Sequence, residues 1–435
     1  MSSKSDFAAR ARGNWRRSNN QQSQMTSYIL PHTCKQGLLG VALCSMLAVP
    51  ATGLAQAVAP SPAAPTTGGA GIRLDPFVIY PSVSLAEGYN DNVGLSSANR
   101  VSSAVTILSP AVLAELKGAS TAYRIGYTGT YGWYSNSSAD NYDYHEFRAG
   151  ADFDFSSRSR LLLRGEYLMK SDPRGSTLAS TGVTTPNKYD QAGFGGVYSY
   201  GAIGAQGRIE VEAFFTDKRY TNNRAVTDTL DFESQRYGGT FFWRIGPKTE
   251  WLFKAQQTRT DYTSAASVQD NTERRFLTGL KWEATALTTG TFSIGQSDRK
   301  YSSANVPNAK GFVWEGSIRW SPLTYSIVDF TTGKGFNDSQ GGLGSSYVTN
   351  QYYTLAWNHA WTERIRSELR GSYSTDNYSG LGREDKISGV GAKLTYDMRR
   401  WLILGAEYTY TERSSNQAGA DYKRNLILFS LKATL

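Results

Sequence analysis

From Val78 to the C-terminus, apolar and polar residues alternate with a period of two. The alternation comes in runs of about 10–14 residues, each closed by a turn signal, which is the pattern of membrane-spanning β-strands. The runs predict strands over Val78–Tyr89, Ser103–Leu116, Thr121–Ser135, Tyr144–Phe155, Arg160–Lys170 and Tyr189–Tyr200. Six more follow at Ala205–Asp217, Phe232–Ile245, Thr249–Tyr262, Glu273–Thr285, Thr289–Tyr301 and Gly311–Ser321. The last six are Thr324–Phe336, Tyr347–Trp361, Arg364–Thr375, Asp385–Asp397, Trp401–Arg413 and Tyr422–Leu435. If the weaker pair, Thr289–Tyr301 and Thr324–Phe336, is discounted, about 16 strands remain instead of about 18.

The linkers alternate in length. Lys117-Gly118, Ser156-Ser157-Arg158, Gly246-Pro247-Lys248, Thr362-Glu363 and Met398-Arg399-Arg400 are short turns. Between such turns lie longer polar loops, among them Ser171–Lys188, Lys218–Asp231, Ser302–Ala309 and Asn337–Ser346. Short periplasmic turns and longer outer loops mark outer-membrane barrels, and a soluble sandwich has no reason to keep such an order. The expected fold is all-β: one closed antiparallel transmembrane β-barrel in the outer membrane of a Gram-negative bacterium.

The strand faces agree. In Arg160–Lys170, Arg160, Arg164, Glu166 and Lys170 share one face, with Leu161, Leu163, Tyr167 and Met169 on the other. Unpaired charge is too costly for the core of a sandwich but suits a water-filled lumen. Trp243, Trp251, Trp282, Trp320 and Trp361 fall beside predicted short turns on the apolar face, as an interfacial girdle requires. Ile427, Phe429, Leu431, Ala433 and Leu435 alternate with polar residues at the very end, a terminal strand of the kind the barrel assembly machinery reads.

Composition refines the N-terminus. Mean hydropathy is −0.43, and the one long apolar segment, Gly37 to Ala57, follows Lys35 and ends in Ala55-Gln56-Ala57. A basic flank, a short apolar run and a small-residue site make a secretory signal. Residues 1–57 are therefore expected to be a signal peptide with a long leader, cut after Ala57, with Met25 an alternative start. The surroundings of Arg16-Arg17 do not fit a twin-arginine signal, and Leu43 before Cys44 does not fit a lipoprotein. Residues 58–77, rich in Pro, Ala, Thr and Gly at first, are expected to be a flexible periplasmic segment, and 78–435 the barrel. Both cysteines, Cys34 and Cys44, lie in the leader, so the mature chain offers no disulfide and no thiol ligand. Of 46 Lys and Arg and 37 Asp and Glu, the leader takes six bases and one acid. The balance left, 40 against 36, is close to +4, which removes most of the support for a nucleic-acid partner.

Tyr80-Pro81-Ser82-Val83-Ser84-Leu85-Ala86-Glu87-Gly88-Tyr89-Asn90-Asp91-Asn92-Val93 is a distinctive opening, and Val105-Thr106-Ile107-Leu108-Ser109-Pro110 follows a strand later. Together they resemble the start of the putative beta-barrel porin 2 family, including the EpsL-like barrels of exopolysaccharide operons. The resemblance implies passage of a polysaccharide across the outer membrane. The Tyr-Asn-Asp-Asn cluster within it needs no more than a loop at a strand end.

Little points to catalysis. The mature chain keeps only His145 and His359, both on the apolar parity, and no nucleophile–base grouping accompanies them. Asp152 and Asp154 share the polar face with Arg148, so a charge network is expected there. No cofactor, metal site or enzyme activity is expected. By parity the lumen carries Arg124, Arg148, Arg160, Arg164, Glu166, Arg208, Glu210, Arg236 and Arg244. It also carries Lys254, Arg275, Lys281, Arg319, Arg364, Arg366, Glu368 and Arg370. Rings of Arg and Lys favour anions. Two readings stay open: these residues line the path of an acidic polysaccharide, or they ladder and stiffen the wall. The leading function is an export channel for an extracellular or capsular polysaccharide. Its expected partners are the polysaccharide, outer-membrane lipid or lipopolysaccharide, periplasmic and inner-membrane export proteins and the assembly machinery. The alternative is a general or substrate-specific diffusion porin for small solutes, and a third reading is a plugged structural barrel.

Overall fold

In the computed structural model, residues 71–177, 179–180, 182–285, 287–339 and 347–435 are described. The expected signal peptide, with Cys34, Cys44 and Met25, lies outside them, as does most of the lead-in. The part of the lead-in that is described turns back on itself. The strand β1 (Ile72–Leu74) pairs antiparallel with Phe77–Ile79 around a cis Asp75–Pro76 bond.

Eighteen long strands follow β1. They are β2 (Phe77–Asn90), β3 (Ser103–Lys117), β4 (Thr121–Tyr134), β5 (Tyr142–Ser156), β6 (Ser159–Asp172) and β7 (Asn187–Tyr200). Then come β8 (Gly207–Tyr220), β9 (Phe232–Gly246), β10 (Thr249–Tyr262), β11 (Asn271–Thr285), β12 (Thr288–Tyr301) and β13 (Ala309–Leu323). The last are β14 (Ser326–Asp338), β15 (Tyr347–Ala360), β16 (Ile365–Tyr378), β17 (Arg383–Arg399), β18 (Leu402–Ser415) and β19 (Tyr422–Thr434). Each pairs antiparallel with the next, and β19 returns to β2 with Leu428 opposite Gly88. The ring from β2 to β19 has no free edge, so each of its strands is paired on both sides. The two weaker sequence runs are full members: β12 pairs with β11 and β13, and β14 with β13 and β15.

Loops and turns alternate around the ring as expected, but several strands run further toward the long-loop end. The expected loop Ser171–Lys188 shrinks to 173–186, and Lys218–Asp231 to 221–231, where Arg224–Thr227 forms one helical turn. Inward polar side chains there find partners among themselves, so the ladder continues past the last apolar outward residue.

One parity carries large side chains left exposed on the outside, such as Ile125 (59%), Phe276 (62%) and Phe429 (63%). The other parity holds the charged residues and a set of buried apolar ones on the inside. The sequence expectation of a polar inner face therefore needs amending. Phe214, Phe242, Leu252, Leu277 and Val313 are buried apolar residues of the inner wall on β8–β11 and β13. Ala86, Val105, Ile107, Leu426 and Leu428 form a buried cluster at the closing seam. Gly88 lies in that seam. A Cβ there would stand 2.0 Å from the carbonyl oxygen of Ile427 and 2.5 Å from the Leu428 side chain. Gly88→Ala is expected to lose about 1–3 kcal/mol by overpacking. The urea midpoint of the refolded barrel measures it, and an unchanged midpoint would show that the seam yields.

Candidate functional site: the lumen and its outer mouth

Arg124 bridges Glu115 at 3.2 Å and Asp152 at 2.7 Å, and Asp152 takes Arg164 at 2.7 Å. A row of alternating charge thus crosses β3 to β6. Asp152 lies between Arg124 and Arg164, not beside Arg148, which binds Glu146 at 2.6 Å and Glu166 at 3.5 Å. Arg124 and Arg164 both stand opposite Gly150, diagonal to Asp152 across the two strand pairs, so this choice needs the register. Arg208 pairs with Glu210 and, at 3.1 Å, Glu250, with its guanidinium 3.9 Å from the centre of the Phe242 ring. Arg236 meets Glu212 at 3.7 Å, and Lys254 and Arg275 share Glu315 at 3.0 and 3.3 Å. Arg319 grips Asp329 with two bonds of 2.6 and 3.1 Å. Arg366 meets Asp397 at 2.8 Å, and Arg370 joins Glu368 and Glu407.

All the lumen residues read from the sequence lie on this inner parity except Arg364, which sits in the turn before β16. Most are neutralised by a neighbour. Among the described residues, Arg160, Arg244, Lys281 and Arg364 have no carboxylate within ion-pair distance. All four stand near short-turn ends of strands. His145 and His359 lie outside, among aromatic rings. His145 Nδ1 is 2.9 Å from the Tyr127 hydroxyl, and His359 packs on Trp357 and Trp361.

At the other end the interior fills up. Tyr142 and Tyr144 stack at 4.5 Å, and the Tyr144 hydroxyl lies 2.9 Å from Ser171 Oγ. Lys218 Nζ stands 3.8 Å from the centre of the Tyr189 ring, and Tyr220 donates to Asp172 at 2.8 Å. Two loops then fold inward and meet. In loop 91–102, Asn92 is fully buried and donates to Ser96 O at 2.8 Å and to Lys423 O at 3.0 Å. Asp91 accepts from Asn425 N and Nδ2, both at 2.7 Å. The Tyr-Asn-Asp-Asn cluster is thus more than a turn: it fastens the first strand's loop to the last strand. Sequence gave no signal of this, because the partners are 334 positions away.

In loop 173–186, Arg174 binds Asp140, with its Nε 2.7 Å from Oδ1. That hydrogen bonding holds the Arg174 guanidinium above its ordinary pKa, against the opposing effect of partial burial. Gly175 has φ of 71°, and a Cβ on it would meet Gly94 O at 2.7 Å. Only glycine tolerates both that backbone and that approach. Its carbonyl accepts from Arg413 of β18 at 3.0 Å. The loop therefore leaves β6 and is held on the opposite side of the closing seam, six strands away around the ring.

No curated protein sequence matches. Among solved structures, the outer-membrane protein OpdK of Pseudomonas aeruginosa is 10% identical, with a TM-score of 0.47, over 82% of this chain and 99% of that one. Acinetobacter baumannii OccAB3 is 10% identical at 0.45, over 82% and 99%, and P. aeruginosa OccK2 is 10% identical at 0.45, over 83% and 99%. The model of a family described as putative beta-barrel porin 2 matches residues 64–435. This match corrects the expected polysaccharide export channel. The family is described as one of porins, which favours the diffusion-porin reading over export. At the mouth, the loop carrying Gly175 meets Gly94 and Arg413 inside the ring, beside the buried hydroxyls of Tyr144 and Tyr220. This outer-membrane β-barrel belongs to the putative beta-barrel porin 2 family.

Proposed function

We propose that the protein is a diffusion channel for small hydrophilic solutes, narrowest at its outer mouth. The observation that supports this most is the meeting of loops 91–102 and 173–186 inside the ring, through Gly175 and Arg413. Below them the wall is lined with paired charge, which water and small polar solutes wet readily. The likeness of Tyr80–Val93 to EpsL-like barrels we propose as kinship within the family, without a role in export. Assembly through the C-terminal strand by the barrel machinery, in a bilayer of outer-membrane lipid, belongs to the same proposal.

In this reading the inward-facing charged side chains line the solute path, and the bases without a carboxylate set its preference. Paired charges cancel at a distance, whereas Arg160, Arg244 and Lys281 leave a positive field at the periplasmic end. The test is single-channel recording in planar bilayers, with liposome swelling in sugars of increasing size. A conducting pore whose swelling rate falls steeply from mono- to oligosaccharides is expected. Absence of both conductance and swelling would overturn the channel reading. In a salt gradient, the triple change Arg160→Gln, Arg244→Gln, Lys281→Gln is expected to move the reversal potential toward cations. A reversal potential that stays put would take these three residues out of the path.

A further inference from the structure

Arg424 lies on the inside of β19, beneath loop 91–102. Its side chain is 2% exposed, and Tyr422, two residues earlier on the same face, is 1% exposed and covered by Leu95. The Nε of Arg424 and the hydroxyl of Tyr422 are both buried without a hydrogen-bond partner. The rest of the guanidinium reaches only Thr411 Oγ1, at 3.5 Å. Among the described residues no carboxylate stands within ion-pair distance of it. The acid whose charge it feels is Asp91, and both oxygens of Asp91 are occupied by Asn425.

Other enclosed guanidinium groups inside this barrel have an acid or a carbonyl acceptor: Arg413 donates to the carbonyl oxygens of Ala420 and Gly175. Arg383 has Asp385, and Arg299 has Glu273 and Asp338. Arg424 has neither: its one contact is the long bond to Thr411 Oγ1, and its Nε has no partner. Burying a charge is strongly unfavourable unless it is paired and hydrogen-bonded. Water satisfies donors but does not neutralise them. The two vacant donors also have matching chemistry. An N–H of a cation and a phenolic O–H stand two residues apart on one strand face, and both need an acceptor.

We propose that Arg424 and Tyr422 hold a small monovalent anion, a halide or a single carboxylate group, inside the closing seam under loop 91–102. The site neutralises β19 where it closes on β2, and it is independent of whether the barrel conducts. Because loop 91–102 also meets loop 173–186, the anion fixes the floor on which the narrow mouth rests.

The test uses the intact wild-type barrel, crystallised with sodium bromide in place of chloride, and anomalous scattering to place the bromide. A peak between Tyr422 and Arg424 is expected. Water alone there, with bromide elsewhere or nowhere, would overturn the proposal. Excess sodium formate then separates the sources: a displaced peak assigns the site to carboxylates, and a retained one to halides. Tyr422→Phe keeps the ring and removes only the hydroxyl. It is expected to raise the bromide concentration needed for half occupancy about tenfold, the worth of one hydrogen bond to a charged group. Unchanged occupancy in that variant would also count against the two-donor site.

Discussion

Replacing residues 174–185 with a short Gly-Ser bridge raises single-channel conductance severalfold. The segment carries Arg174, bound to Asp140, and Gly175, which touches loop 91–102 and accepts from Arg413. These are the contacts that carry chain from β6 across the inside of the mouth. A channel's resistance concentrates at its narrowest section, so clearing that section acts far more strongly than changes to the wall. The barrel itself is expected to survive, because closure depends on the ladder from β2 to β19 and not on this loop. Arg413→Ala removes one tie without deleting chain, and a smaller gain in conductance, with more flickering, is expected from it. Conductance unchanged in the bridged variant would show that the path does not run past these loops, and would return weight to a plugged barrel.

The second large effect is on stability. Asp385 is 1% exposed and receives two hydrogen bonds from Arg383, at 2.8 and 2.6 Å. Arg383, itself 7% exposed, lies 4.7 Å from the centre of the Tyr378 ring. Asp385→Ala leaves that guanidinium enclosed without its counter-charge, at a cost of about 3–5 kcal/mol. Replacing both partners with apolar residues, as Arg383→Met with Asp385→Leu, is expected to restore most of the loss, since the desolvation of two charges disappears with them. Urea unfolding of the refolded protein distinguishes the cases. If the single variant unfolds at the wild-type midpoint, solvent reaches this pair and the outer end of β17 is looser than its packing indicates.

The strand pattern was readable along the whole barrel, including Thr289–Tyr301 and Thr324–Phe336, whose runs are the least regular. Each has a neighbour on both sides, and closure supplies what weak local alternation lacks. Parity also placed Arg124, Arg164, Arg208 and Lys254 on the inner face. It did not give their partners. Asp152 takes Arg124 and Arg164 because β4 and β6 flank β5, and a sequence in which Arg148 is nearer offers no hint of it. Nor did parity reveal the inward apolar residues Phe214, Phe242 and Leu252 as a buried surface, since alternation in a barrel reads hydrophobic outside. Where inner side chains pack on one another, the inside too becomes a core.

By itself, then, the sequence determined the strand order, the two faces and the alternation of turns with loops. Those depend on a period of two and on neighbours in the chain, and a closed antiparallel barrel of consecutive strands turns local order directly into topology. What only the tertiary structure decided lies across the ring. It seated Asp91 on Asn425, carried Gly175 to Arg413, and left Arg424 enclosed without an acid. Each depends on segments far apart in sequence that are adjacent only after closure, and no local pattern encodes it.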